Sequence, residues 1–526
     1  MKKIAAVVSV LFVLTSCSLQ GENQPSEPID SQGSRQMQAP DKFVEEPPTI
    51  EEPFQYYLDE RIPKEVRDLV AENRGAKFNI DNASLEAVKR DYLSYDMDHE
   101  QDQLIASQII REPSPYPEAL TTEQAESDVD FLFGYLKYGY AGYGYYGGDD
   151  IFLPLKDQIL EDIKSTGEII TAPSLNEIIA EYLMPVIVDC HFNVGTERSN
   201  DHHAQKYYSA NEEALYVKLE DGFHIEIDGS DYLLRSVGGA PPETYVKPIL
   251  TQDGHAAWTV GVSHHEPVAP SVDVELVNTQ TRDIITRSAA LTVSEQTPNY
   301  TNSKEYRPYD LTEISEIPVV QCRRLWADGE HEKDLQKLVE DAAGLRDEPV
   351  VIVDLRGNSG GSSEWGDNWI EMFSGSRPAF HNIYCVMETQ TISSSFGQEK
   401  TIASPGWREP LLEAAEIIPN DSFILVLTDQ HVGSSAELFL AGLRQMENVI
   451  VIGTNTNGMT VFGDVRSIYL PESRLRIQCG YKLFLEPDLQ FYEGVGQPPD
   501  LWAPPGEALE RAILFAQNYL LSTGGN

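Results

Sequence analysis

The chain has 526 residues, of which 84 are Asp or Glu and 39 Lys or Arg, giving a formal charge of −45. That balance excludes a phosphate-neutralising, nucleic-acid-binding surface and disfavours docking of the body on an anionic membrane. A hydrophobic content of 41% excludes global disorder, and no internal run of about 18 apolar residues marks a spanning helix.

In chain order, Lys2 and Lys3 precede an apolar run from Ile4 to Leu14, the make-up of an export signal. The run ends Leu14-Thr15-Ser16-Cys17, which resembles a bacterial lipobox, so 1–17 is expected to be a lipoprotein leader with Cys17 the lipidated residue. The same stretch also fits a plain secretory signal with an incidental Cys. Residues 18–55 are rich in Gln, Pro, Ser and Glu and read as a flexible tether. Residues 56–200 read as a helical N-terminal domain. Ser84 to Tyr95 is a weak helix, and Thr121 with Gln124 offers a capping box before Val129, Phe131, Leu132 and Leu136. The Gly/Tyr run Tyr138 to Gly148 breaks that helix, and Ile151 to Ile163 and Leu175 to Val188 form two more.

Residues 201–312 change to short alternating runs, Ala214 to Leu219, Tyr232 to Val237, Ala257 to Val262 and Val272 to Val277, so this part is β-rich. From 313 onward, apolar strands Val350 to Asp354, Phe423 to Thr428 and Val449 to Gly453 alternate with helices, one from Ser434 to about Met446 and a closing one from Pro504 to Leu521. This alternation predicts a largely parallel sheet covered on both faces. The chain is thus expected to be a multidomain α/β protein. Cys190, Cys322, Cys385 and Cys479 are widely spaced, with no Cys-x-x-Cys, and read as buried thiols.

Two segments carry the chemistry. Thr428 to Glu437 takes the chain from a buried strand through a short loop into a helix beginning at Ser434-Ser435, where free N–H groups suit an attacking hydroxyl and its oxyanion. On that segment alone, Ser434 reads equally as a helix N-cap. Asp354-Leu355-Arg356-Gly357-Asn358-Ser359-Gly360-Gly361 also leaves a buried strand, and its glycines allow close approach of backbone donors. It lacks the Lys-Ser/Thr ending of a P-loop and the spacing of a dinucleotide fingerprint.

Together with Gly453-x-Asn455-Thr456-Asn457-Gly458 and Glu493-Gly494-Val495-Gly496-Gln497-Pro498-Pro499-Asp500, these segments resemble the S41 peptidase family of C-terminal processing peptidases and the tricorn core protease. The resemblance implies a crotonase-like ClpP/S41 peptidase core over 313–526, and a PDZ-like middle domain, although no Gly-Leu-Gly-Phe loop is found. It implies Ser434 as nucleophile. Where processing peptidases carry a Lys base this chain has Met459. The tricorn-type arrangement then supplies His191, in Asp189-Cys190-His191, as base and Glu493 as its acidic partner, with Ser435 and Gly360 or Gly361 as the oxyanion hole. Lys482 and His431 are rival bases, and Glu486 and Asp488 rival acids. His202-His203 and His264-His265 lack a third ligand at regular spacing, so no metal or organic cofactor is expected. The tyrosines of 138–146 read as packing for the His191 region, with a substrate groove as the other use. The expectation is a lipid-anchored, extracytoplasmic serine endopeptidase acting on peptide or protein substrates. The competing reading is an inactive relative that binds peptides or partner proteins. The sequence leaves oligomeric state open.

Overall fold

The computed structural model describes residues 56–76, 103–167, 169–265, 271–295, 306–327, 331–378, 383–398, 417–485 and 491–521, with short stretches between them. The leader, Cys17, the tether, most of Ser84 to Tyr95, Glu486 and Asp488 lie outside the described residues.

A ten-stranded sheet organises the molecule. Its centre is parallel, running from Val246–Leu250 through Leu501–Trp502, Val449–Gly453, Phe423–Thr428 and Val350–Asp354 to Ile317–Cys322. The central strands are buried at every position, as apolar runs covered on both faces must be. Val351 and Val353 face a core built with the helices Glu332–Leu345, Ser363–Ser374 and Ser435–Leu443. Val350 and Ile352 face the closing helix Ala508–Ala516.

That second face also takes Ile62, Val66 and Val70, so the helix Lys64–Ala76 packs on the core sheet although it lies before the helical segments in sequence. Arg74, buried in this helix, donates to both oxygens of Asp500, at 3.0 and 2.8 Å. Both side chains are 1% exposed, so each charge depends on the other.

Residues 201–312 do not form a separate sheet domain. Tyr207–Ala210, Val246–Leu250, Ala256–His264 and Thr292–Val293 extend the ten-stranded sheet, because Ile249 pairs in parallel with Trp502. The other strands, Val217–Leu219, Gly222–Ile227, Ser230–Val237, Ser271–Asn278 and Ile284–Ala290, make a five-stranded antiparallel sheet. Between Val217 and Val293 the only helical piece among the described residues is the turn Pro242–Thr244, so no longer helix lines a PDZ-like groove there.

The helices Thr122–Gly139, Asp149–Thr166 and Ala172–Leu183 pack against Ile468 and Ile477, on two strands of a third sheet, and against Leu470 and Leu475 in the turn between those two strands. Thr121 and Gln124 close the capping box expected at the first of them. In that third sheet Asn193–Val194 pairs with Gln478 and Ile477 of Arg476–Leu485. This pairing fastens the segment just after His191 to a strand that follows the nucleophile by some forty residues. The chain thereby folds the end of its helical region onto the core.

Candidate active site

The buried strand Phe423–Thr428 ends in a loop that turns sharply into the helix Ser435–Leu443. Ser434 sits at the turn with φ 54° and ψ −125°, a conformation L residues rarely adopt and one that recurs where a nucleophile is lifted clear of its backbone. The neighbouring loop clamps the turn. Asp429 accepts from the N–H of Gly357 (3.0 Å to each oxygen), from His431 N–H (2.9 Å) and from the Thr297 hydroxyl. Gly433 N–H donates to the Asn358 carbonyl at 3.0 Å. Gly360, at φ 104°, comes so close that a Cβ would lie 2.8 Å from the Gly433 oxygen and 2.9 Å from Ser435 N. Only glycine fits there. Upstream, Asp354 is fully buried and accepts from Arg356 Nε at 2.8 Å and from an Arg323 guanidinium nitrogen at 2.8 Å. Burial alone would raise its pKa, but the two guanidiniums bring it down to about 2.

His191 Nε2 lies 3.1 Å from Ser434 Oγ. The ring is held through its main chain. Asp189 Oδ1 accepts from His191 N–H at 2.8 Å, and the His191 carbonyl accepts from the amides of Asn193 (3.2 Å) and Gln478 (3.1 Å). Burial of the imidazole lowers its pKa to about 4, so it is a neutral acceptor at ordinary pH.

Glu493 is buried behind this segment. Its two oxygens accept main-chain N–H groups, Cys190 at 2.7 Å and Val461 at 2.8 Å, and not the imidazole. It therefore fixes the loop carrying His191 to the loop after Met459. One oxygen each of Glu493 and Asp189 and a nitrogen of His191 lie within 4.8 Å of one another. Both Glu493 oxygens and Asp189 Oδ1 accept main-chain N–H groups. Burial raises the pKa of both carboxyls, and the charge of Asp189 raises that of Glu493 further.

The Ser435 N–H occupies the first position of its helix, where no intrahelical acceptor exists, and the Ser435 hydroxyl donates to the Gly361 carbonyl at 2.8 Å. Gly360 N–H is engaged by Asn358 Oδ1 at 2.9 Å, which leaves Ser435 and Gly361 as the expected oxyanion donors.

The rival bases are occupied elsewhere. Lys482 pairs with Asp464 at 2.5 Å, and His431 Nε2 faces the Thr297 carbonyl at 2.9 Å. Met459 is buried with Cys190 and Ala204, its sulfur 3.1 Å from where a Gly433 Cβ would stand. His203 faces the Met184 carbonyl, His265 that of Ala204 and His264 the Ser209 hydroxyl, all roles in packing. Tyr140 and Tyr143 are buried, Tyr140 against Phe192 and Phe462, so the aromatic run braces the segment next to His191.

Glu437 has a larger part than the sequence reading gave it. It accepts from Ser434 N–H (3.0 Å), the Thr456 hydroxyl (2.6 Å), Gly458 N–H (3.0 Å) and Met459 N–H (2.8 Å). Burial pushes its pKa up to about 7. The signal was present as Ser-x-x-Glu at a helix start, the spacing by which a carboxylate reaches back to the N-cap N–H.

Residues 316–502 match peptidase family S41, a stretch that includes Ser434 and Glu493 but not His191. No curated protein matches the chain. Among solved structures, mature CPAF is similar over 77% of this chain and 99% of its own, at 13% identity and a TM-score of 0.43. The photosystem II D1 C-terminal processing protease is similar over 76% and 98%, at 11% identity and a TM-score of 0.35. The tricorn protease is similar over 77% and 37%, at 13% identity and a TM-score of 0.35. Likeness of this size says nothing about chemistry.

Proposed function

We propose that this chain, whose residues 316–502 belong to peptidase family S41, is a serine endopeptidase that cleaves peptide or protein substrates through an acyl-enzyme. The observation that carries the reading is the 3.1 Å approach of His191 Nε2 to Ser434 Oγ, made across 243 residues of sequence. Ser434 Oγ attacks the scissile carbonyl while His191 Nε2 takes its proton. The N–H groups of Ser435 and Gly361 hold the oxyanion, and the protonated imidazole then gives its proton to the leaving amine. Water, deprotonated by the same nitrogen, releases the acyl group. Glu493 is the third member, holding the Cys190–His191 main chain and placing a carboxyl behind the imidazole that forms. The chemistry calls for no metal or organic cofactor. With Met459 at the position of the family lysine, catalysis rests on His191. We also propose that the leader directs lipidation of Cys17, so that the enzyme is anchored to the cell membrane and faces outside the cytoplasm. Among the described residues no helix is long and apolar enough to cross a membrane.

The test is hydrolysis of fluorescently labelled casein by the purified full chain. Turnover by the wild type, lost in Ser434→Ala, supports the proposal. No turnover by the wild type, or turnover retained by Ser434→Ala, overturns it.

A further inference from the structure

The segment that carries His191 holds a second buried carboxyl besides Glu493. Asp189 is fully buried. Its Oδ1 accepts from His191 N–H at 2.8 Å. Asp189 Oδ2 and His191 Nδ1 are both buried without a hydrogen-bond partner of normal geometry. The hydroxyl of Tyr140 stands beside Asp189 and that of Tyr146 is close enough to feel its charge, and neither closes a bond of normal geometry. Glu493 is the other carboxyl within reach of the ring, but both of its oxygens already accept main-chain N–H groups.

We propose that Asp189 is the positioning residue for His191: its Oδ2 accepts the imidazole Nδ1–H and so keeps Nε2 free to take the proton of Ser434. The proposal rests on the serine-peptidase reading. An oxygen of Asp189 and a ring nitrogen of His191 lie within 4.8 Å of each other, close enough for a modest side-chain adjustment to close the contact as substrate binds. The division of labour follows from the hydrogen bonds. Glu493 holds main chain, and Asp189 holds both the main chain and the tautomer. The other ionisable or polar groups around this pair are Glu437, Cys190, Tyr140, Tyr146 and Cys479, with Asp464 acting on the imidazole through its charge and Lys206 on Cys190. The competing acceptor for Nδ1–H is the Phe462 carbonyl, which lies near the ring.

The test is Asp189→Asn in the full chain. Asn Oδ1 can still accept from His191 N–H, so the turn is kept, but its amide now presents a donor to Nδ1. The expected results are a proton moved to Nε2, read from imidazole ¹⁵N shifts with His191→Gln as the assignment control, and a fall in kcat of about 10³–10⁴-fold with KM within about 3-fold. An Nδ1–H tautomer that persists in the variant, with kcat within about 2-fold of wild type, overturns the proposal and assigns the tautomer to Phe462. If Asp189→Asn does not fold, Asp189→Ser, which keeps a short acceptor for the main-chain N–H but cannot reach the ring, carries the same readouts and the same expected loss of kcat. The tautomer is read without substrate. A wild type that holds Nδ1–H, loses it in the variant and yet hydrolyses nothing sinks the peptidase reading while leaving the contact standing.

Discussion

At the scale of single residues, the site depends on burial. Removing the imidazole from water lowers the His191 pKa to about 4 and leaves an uncharged base beside a hydroxyl at 3.1 Å. Titration of the His191 ring itself is therefore expected near pH 4, well below the ordinary histidine value of about 6.5, read from the pH dependence of its imidazole ¹⁵N shifts. A ring that titrates at 6 or above contradicts this. Gly360 is fixed by contact. A methyl there meets the Gly433 oxygen and the Ser435 nitrogen inside 3.0 Å and is strained at φ 104°. Gly360→Ala is expected to lower kcat about 100-fold by shifting the nucleophile turn, with the circular dichroism of the wild type retained. Activity within 2-fold of wild type would mean the turn tolerates the shift.

Elements were legible in sequence where local rules decide them. Val350–Asp354, Phe423–Thr428 and Val449–Gly453 appear with the bounds the apolar runs suggested, because a strand buried on both faces must be apolar throughout. The Thr121 cap is likewise local chemistry. What periodicity does not carry is the partner of each element. The helix Lys64–Ala76 shows its apolar stripe in sequence but not the sheet it covers, and Val246–Leu250 does not announce its parallel pairing with Leu501–Trp502. The same holds at the site. Ser434, His191 and Glu493 were named from motifs, while the separate jobs of Asp189 and Glu437 depend on where their oxygens point, which spacing does not specify. Arg74 tests the element scale. Arg74→Met leaves Asp500 buried without its cation and is expected to cost about 3–5 kcal/mol, read as a lowered Tm. An unchanged Tm would mean that this helix does not hold the core.

At the scale of the whole molecule, an excess of acidic groups and several buried carboxyls set the response to pH. Glu437 is raised from 4.5 to about 7 by burial, and Asp189 and Glu493 are raised for the same reason. The folded state then binds more protons than the unfolded chain, so the contributions of Glu437 and Asp189 are present in full at acid pH, below their ordinary carboxyl values, and are lost as pH rises through about 7. His191 acts the other way, its contribution fading as pH falls from 6.5 toward about 4. Asp354, lowered from 3.8 to about 2, loses its contribution only at lower pH still. Repulsion within a chain of net charge −45 adds to the loss at high pH. Tm is therefore expected to be higher at pH 6 than at pH 8.5. A Tm that rises steadily over that range contradicts the account.

The central claim is that the fold brings His191 onto Ser434 and thereby makes that one serine a nucleophile. Its most direct measurement is peptide mapping by mass spectrometry after reaction with a fluorophosphonate. A single adduct on the peptide containing Ser434, lost in His191→Gln, is the predicted result. An unmodified Ser434, or labelling that persists undiminished without His191, would contradict it.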